Sequence, residues 1–79
     1  MRLDKYLKVS RIIKRRTVAN EACDAGKISV NGKVVRASYN VKVGDEITVA
    51  MGESERRYRV LQVSEHALKE DAAKMYEIL

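Results

Sequence analysis

The stretch Gly26-Lys27-Ile28-Ser29-Val30-Asn31-Gly32-Lys33-Val34-Val35 constrains this chain more than any other. Glycine ends helices readily because it adopts positive φ without a Cβ penalty, and Asn-Gly is the pair favoured in a type I′ turn. The alternation Ile28-Ser29-Val30 before that pair, and the return Lys33-Val34-Val35 after it, predict a tight β-hairpin entered directly from a helix. Helices must then pack on antiparallel strands, which places the chain in the α+β class.

Upstream, Leu3 and Leu7 stand four residues apart with Tyr6 beside them, while Arg2, Lys5 and Lys8 recur every three residues. This is the pattern of a short amphipathic helix with a basic flank, from Arg2 to about Ser10, and it puts Tyr6 in the core. Arg11, Lys14, Arg15 and Arg16 surround Ile12 and Ile13, a basic connector whose apolar pair tucks under the core. Thr17 is the expected N-cap of a second helix that runs to Ala25 and stops at Gly26. Val18, Ala22 and Ala25 share a face of that helix, with Ala19 and Cys23 near it. Small residues there allow close approach to the first helix, and Cys23 reads as core.

Downstream, an irregular stretch from Arg36 to Asn40 leads to Val41 and Val43, and Gly44-Asp45 introduces a third strand, Glu46 to Met51, with Ile47 and Val49 on one face. A turn over Gly52 to Glu55 precedes Arg56 to Val63, where Arg57 and Arg59 alternate with Tyr58 and Val60 as in a half-solvated strand. Tyr58 and Tyr76 should pack. Leu68, Ala72, Met75 and Leu79 fall at spacings of four, three and four, which predicts an amphipathic helix to the end of the chain. The order is ααββββα: one domain over 1–79, with a core motif at 2–50 and a C-terminal strand and helix at 56–79.

Charge narrows the function. The net charge is +5, but residues 1–36 hold ten Lys/Arg against three Asp/Glu, whereas residues 37–79 hold six against eight. Such asymmetry points to a polyanionic partner, with a merely solvated face as the plainer alternative. Cys23 is the only cysteine, so no internal disulfide or cysteine cluster forms, in keeping with a reducing cytoplasm. No apolar run approaches the roughly 20 residues of a membrane span, and MRLDKYLKVSR lacks the apolar region of a secretory signal, so no membrane partner is expected. The lone His66 has no second histidine or cysteine near it in sequence, and the four glycines fit neither GxxxxGK[ST] nor GxGxxG. No metal, cofactor or catalytic residue is expected, and the chain reads as a binding module, not an enzyme.

These residues, taken in order, resemble the RNA-binding domain named after small-subunit ribosomal protein S-four, also called the αL motif. The likeness spans Arg2 to about Val49. It rests on Arg2-Leu3-Asp4, Arg16 with Ala19, Gly26, Ile28-Ser29-Val30-Asn31-Gly32, and Val41 to Asp45. Each piece is weak alone; their order and spacing make the match specific. The chain departs from the pattern at Ala22-Cys23, where a bulky aliphatic pair is usual, and at Arg15, where serine is common and arginine adds charge. The resemblance implies an S-four-type fold: two N-terminal helices packed on a small, mostly antiparallel sheet, plus a C-terminal helix.

Among free-standing members, RLDKYLKVSRIIKRRT and KISVNG resemble the RqcP family of bacterial ribosome-associated quality-control factors and, more distantly, the heat-shock protein fifteen family. Resemblance to the first implies a cytoplasmic, ribosome-associated monomer. It would bind large-subunit rRNA and P-site peptidyl-tRNA on obstructed large ribosomal subunits, supporting RqcH-dependent, template-free alanine tailing of stalled nascent chains. Resemblance to the second implies a rescue factor for large subunits carrying peptidyl-tRNA, a family that typically adds a longer basic C-terminal extension where this tail is short and acidic. A protein-interaction adaptor that uses an acidic C-terminal helix is the alternative from another class.

With little aromatic surface and many cations, the expected contacts are to phosphates and to RNA shape. The RNA-binding candidates are Arg2 and Arg16, which coincide with family motif positions, then Lys5, Lys8, Arg11, Lys14 and Arg15, with Lys27, Asn31 and Arg36 extending the site from the hairpin. Asn31 has an alternative as a turn residue tolerant of positive φ, and Asp4 as a helix N-terminal charge or an arginine partner. Tyr39 is a candidate for stacking on a base.

Overall fold

A computed structural model describes residues 1–79. In chain order the elements are α1 (Leu3–Val9), α2 (Arg16–Asp24), β1 (Ile28–Val30), β2 (Lys33–Val34), β3 (Glu46–Met51), β4 (Ser54–Val60), α3 (Lys69–Ala72) and β5 (Tyr76–Ile78). The strands form one antiparallel sheet in the order β2-β1-β3-β4-β5. Directly opposed residues share a face, so the register Val30↔Ile47↔Tyr58 and Ile28↔Val49 lines up an apolar surface. Leu3, Tyr6 and Leu7 from α1 and Ala19 and Cys23 from α2 close over it, and Met75 completes the core. Burial pushes the Cys23 thiol up to about 11, with the charges of Asp4 and Asp24 adding to the effect, so this cysteine is an inert core residue.

The helix-to-hairpin junction follows local rules. Gly26, at φ 73°, donates to the Cys23 carbonyl while Lys27 donates to that of Ala22, the paired bonds of a Schellman stop. Asn31 and Gly32 both have positive φ, as a type I′ turn requires. The start of α1 is capped by a distant segment and by no side chain: Leu3 and Asp4 donate to the carbonyls of Tyr39 and Ala37. The irregular stretch 36–40 therefore satisfies the free donors of the first helical turn.

Several expectations are corrected. Thr17 lies inside α2, and Arg15 is the N-cap residue with no side-chain bond, because the helix begins two residues earlier than a Thr17 cap implies. Its buried face is Ala19 and Cys23, while Val18 is 46% exposed and Ala25 also faces solvent. The turn after β3 is the pair Gly52-Glu53, since Met51 and Ser54 are already opposed.

The largest difference is at the C-terminus. The C-terminal helix is the single turn α3, after which the chain extends into β5 beside β4. Ala72 and Met75 are buried as the apolar stripe predicts, but Leu68 and Leu79 are exposed. An edge of β4 left bare would hold unpaired backbone groups, and pairing Tyr58–Val60 with Tyr76–Ile78 satisfies them. Tyr76 meets Tyr58 edge to face with ring centroids 5.3 Å apart. No helix is long and apolar enough to cross a membrane.

Candidate nucleic-acid interface

The basic residues of α1 project from the side opposite its buried face. Leu3, Tyr6, Leu7 and Ser10 point inward, which leaves Lys5 half-buried at the margin and Lys8 exposed. Arg11 then takes φ 64°, a left-handed conformation costly for a residue with a Cβ, and turns the chain toward α2. Ile12 and Ile13 pack against the core, so Lys14 and Arg15 stay in solvent. Arg16 opens α2, which has no side-chain cap and no acidic residue in its first turn. The positive end of that helix thus adds to the field of the surrounding cations.

Lys5, Lys8, Arg11, Lys14 and Arg16 converge on one open groove. The opposite wall is the segment 65–69, contributing Glu65, His66, Ala67 and Lys69. Five of the ten candidates are brought together there. Arg2 adjoins them through Asp4, while Arg15, Lys27 and Arg36 are exposed but do not line the groove. Lys69 and His66 escaped sequence reasoning because their proximity to α1 is created by tertiary folding. Tyr6 donates 2.7 Å to the Met75 carbonyl, which also accepts the N–H groups of Leu61 and Gln62, and this anchors the base of the segment beside α1.

Asp4 organises the arginine side of the groove. It is 2% exposed, and its carboxylate accepts a two-pronged contact from Arg2 at 3.2 Å, Asn20 at 3.2 Å, the Lys5 N–H at 2.8 Å, and Arg16 at 3.5 Å. Burial by itself would raise the carboxyl's pKa. The bonds from Asn20, Arg2, Arg16 and Lys5 together outweigh it and hold the group below the usual carboxylate range. Both guanidinium groups remain about half exposed, at 50% for Arg2 and 46% for Arg16, so each is oriented by Asp4 while still presenting donors to solvent.

The hairpin residues have structural duties. Asn31 donates to Asp45 at 3.1 Å and accepts from the Glu46 N–H at 3.0 Å, so its side chain locks the β1–β2 turn onto the start of β3. Tyr39 also donates to Asp45, at 3.1 Å, and packs against the core, which leaves its ring less free for stacking on a base than its place in an irregular segment suggests. Partial burial and the neighbouring Asp45 raise its pKa.

Residues 1–47 match the family model described as S4 domain. Over its full length the chain is 53% identical to the RQC P-site tRNA stabilizing factor of Streptococcus pneumoniae (strain ATCC BAA-255 / R6), covering 90% of that protein. It is also 53% identical to the factor of the same name from Bacillus subtilis (strain 168), covering 92% of it. Its fold superposes on a trimeric structure of Vibrio cholerae heat shock protein 15 with a TM-score of 0.91 and 29% identity, spanning all of this chain and 81% of the other.

Proposed function

Because this chain belongs to the S4 domain family, we propose that it is a non-catalytic RNA-binding factor of ribosome-associated quality control. In this reading it acts in the cytoplasm on obstructed large ribosomal subunits, where it binds large-subunit rRNA and P-site peptidyl-tRNA. It supports RqcH-dependent alanine tailing by holding the tRNA in place. The observation that carries the reading is the groove, in which five cations of the N-terminal helix pair and its connector face Lys69 on the segment 65–69. The full-length likeness to factors named for stabilising P-site tRNA supplies the setting.

The groove suits RNA backbone. Guanidinium groups grip phosphate oxygens bidentately, and Asp4 fixes Arg2 and Arg16 before binding, which reduces the entropy lost on contact. Arg11 supports the same conclusion. A glycine would occupy its left-handed backbone at lower cost, so a side chain kept there at a penalty of about 1–2 kcal/mol fits a role in binding. All of these groups come from one chain, so the reading requires only a monomer.

Co-sedimentation with purified large subunits carrying peptidyl-tRNA tests it. The wild-type chain should travel with the subunits. Arg16→Ala and Arg11→Gly should be released from them, with Arg11→Gly at least as resistant to urea as wild type because its backbone strain is relieved. Retention of both variants would remove the groove from the binding site, and a wild-type chain left at the top of the gradient would sink the ribosomal reading.

A further inference from the structure

Glu65 is the one acidic residue lining a groove otherwise charged by lysines and arginines. It lies on the segment 65–69, outside the residues matched to the S4 domain, and its carboxylate accepts from the Lys5 ammonium. Folding gives no reason for it. The carboxylate is 65% exposed and Lys5 is 32% exposed, and a surface ion pair of this kind adds little to stability. The segment has its own anchors in the bonds that reach Met75 and in Ser64, whose hydroxyl donates to the His66 carbonyl at 2.7 Å. A carboxylate set among phosphate-binding cations therefore has its main effect on what else can bind there, by repelling incoming anions and by occupying a donor that they need.

We propose that Glu65 is the resident anion of the groove: it occupies Lys5 in the free protein and is exchanged for an RNA phosphate on binding, which makes the segment 65–69 a charge-gated second wall. The proposal deepens the RNA-binding reading and rests on it. In the free state Lys5 is neutralised internally, so a loosely held strand gains little from it. A strand that reaches Arg11, Arg16 and Lys69 together displaces the carboxylate and takes Lys5 as well. The bond from Lys5, then its charge, keeps the Glu65 carboxyl below the usual range, so the gate stays ionised at neutral pH. Lys69 stands on the same wall as Glu65 and meets the phosphate as the carboxylate leaves.

The test compares Glu65→Gln, Glu53→Gln and Lys5→Ala, singly and as the Lys5→Ala/Glu65→Gln pair, in binding to a short labelled oligouridylate at low salt. Glu53 sits in the exposed β3–β4 turn and does not line the groove, so its replacement controls for net charge alone. Glu65→Gln should tighten binding about three- to tenfold and steepen the salt dependence by up to one phosphate's worth, a log–log slope change of about 0.7. Glu53→Gln should change affinity by less than about twofold, and the gain from Glu65→Gln should vanish in the Lys5→Ala background. Equal effects of Glu65→Gln and Glu53→Gln, or a gain that persists without Lys5, would overturn the gate. Large-subunit binding by wild type, measured beside these, reports separately on the ribosomal reading, because the oligouridylate comparison does not depend on it.

Discussion

Asp4 carries a negative charge almost wholly out of water, an arrangement that survives only when every lone pair finds a donor. Arg2, Arg16, Asn20 and the Lys5 N–H supply those donors, and in return the carboxylate fixes where two half-exposed guanidinium groups point. Asp4→Asn keeps the shape but removes the charge, and its amide N–H₂ faces other donors. The variant should lose about 1–3 kcal/mol in urea unfolding and bind RNA more weakly although Asp4 itself touches none. The folded carboxyl titrates below its unfolded value of about 3.8, so its contribution is complete above that pH and fades as pH falls through the lower folded value. The acid limb of the wild-type stability profile should therefore flatten in Asp4→Asn; an unchanged limb would mean that the hub contributes nothing. Both sequence readings of Asp4, a charge in the first helical turn and an arginine partner, describe the same residue. Invisible in sequence was that one carboxylate serves Arg2 and Arg16 together, since only the packing of α1 on α2 brings them within reach.

At the scale of elements, legibility tracks how local the determining signal is. The α1 stripe, the Gly26 stop, the Asn31-Gly32 turn and the Ile47/Val49 alternation depend on neighbours in sequence, and they form as read. The end of the chain depends on something remote, the open edge of β4, and there Leu68, Ala72, Met75 and Leu79 mislead. Two of the four are buried, by a helical turn that hands over to a strand. Met75 sits at that handover, 1% exposed, with its carbonyl receiving Tyr6 from α1 and the N–H groups of Leu61 and Gln62. Met75→Ala should lower stability by about 2–5 kcal/mol. That is a large share of the roughly 4–12 kcal/mol expected for a chain of this length. Its urea midpoint should fall accordingly, and a loss below about 1 kcal/mol would show that the C-terminal segment docks on α1 only loosely.

For the molecule as a whole, the count of charges in the first half locates one wall of the groove and misses the other. Lys69 comes from the net-acidic half and reaches the site only because β4, β5 and Met75 fold that half back against α1. The groove then presents six Lys/Arg side chains, one of them held by Glu65. If about four to six phosphates are neutralised, each contributing a slope of about −0.7 to −0.9, the log–log salt dependence should lie near −3 to −5. Affinity should then fall roughly 10²- to 10³-fold between about 50 and about 200 mM salt. A shallow slope would mean that the cations only solubilise the chain and that partners are held by apolar surface instead. The adaptor reading makes a different prediction: complexes held through the acidic C-terminal segment should survive removal of RNA by nuclease, although they too weaken with salt. Nuclease treatment of the captured complexes, read beside the salt titration of large-subunit binding, therefore decides between a phosphate groove and a protein-docking surface.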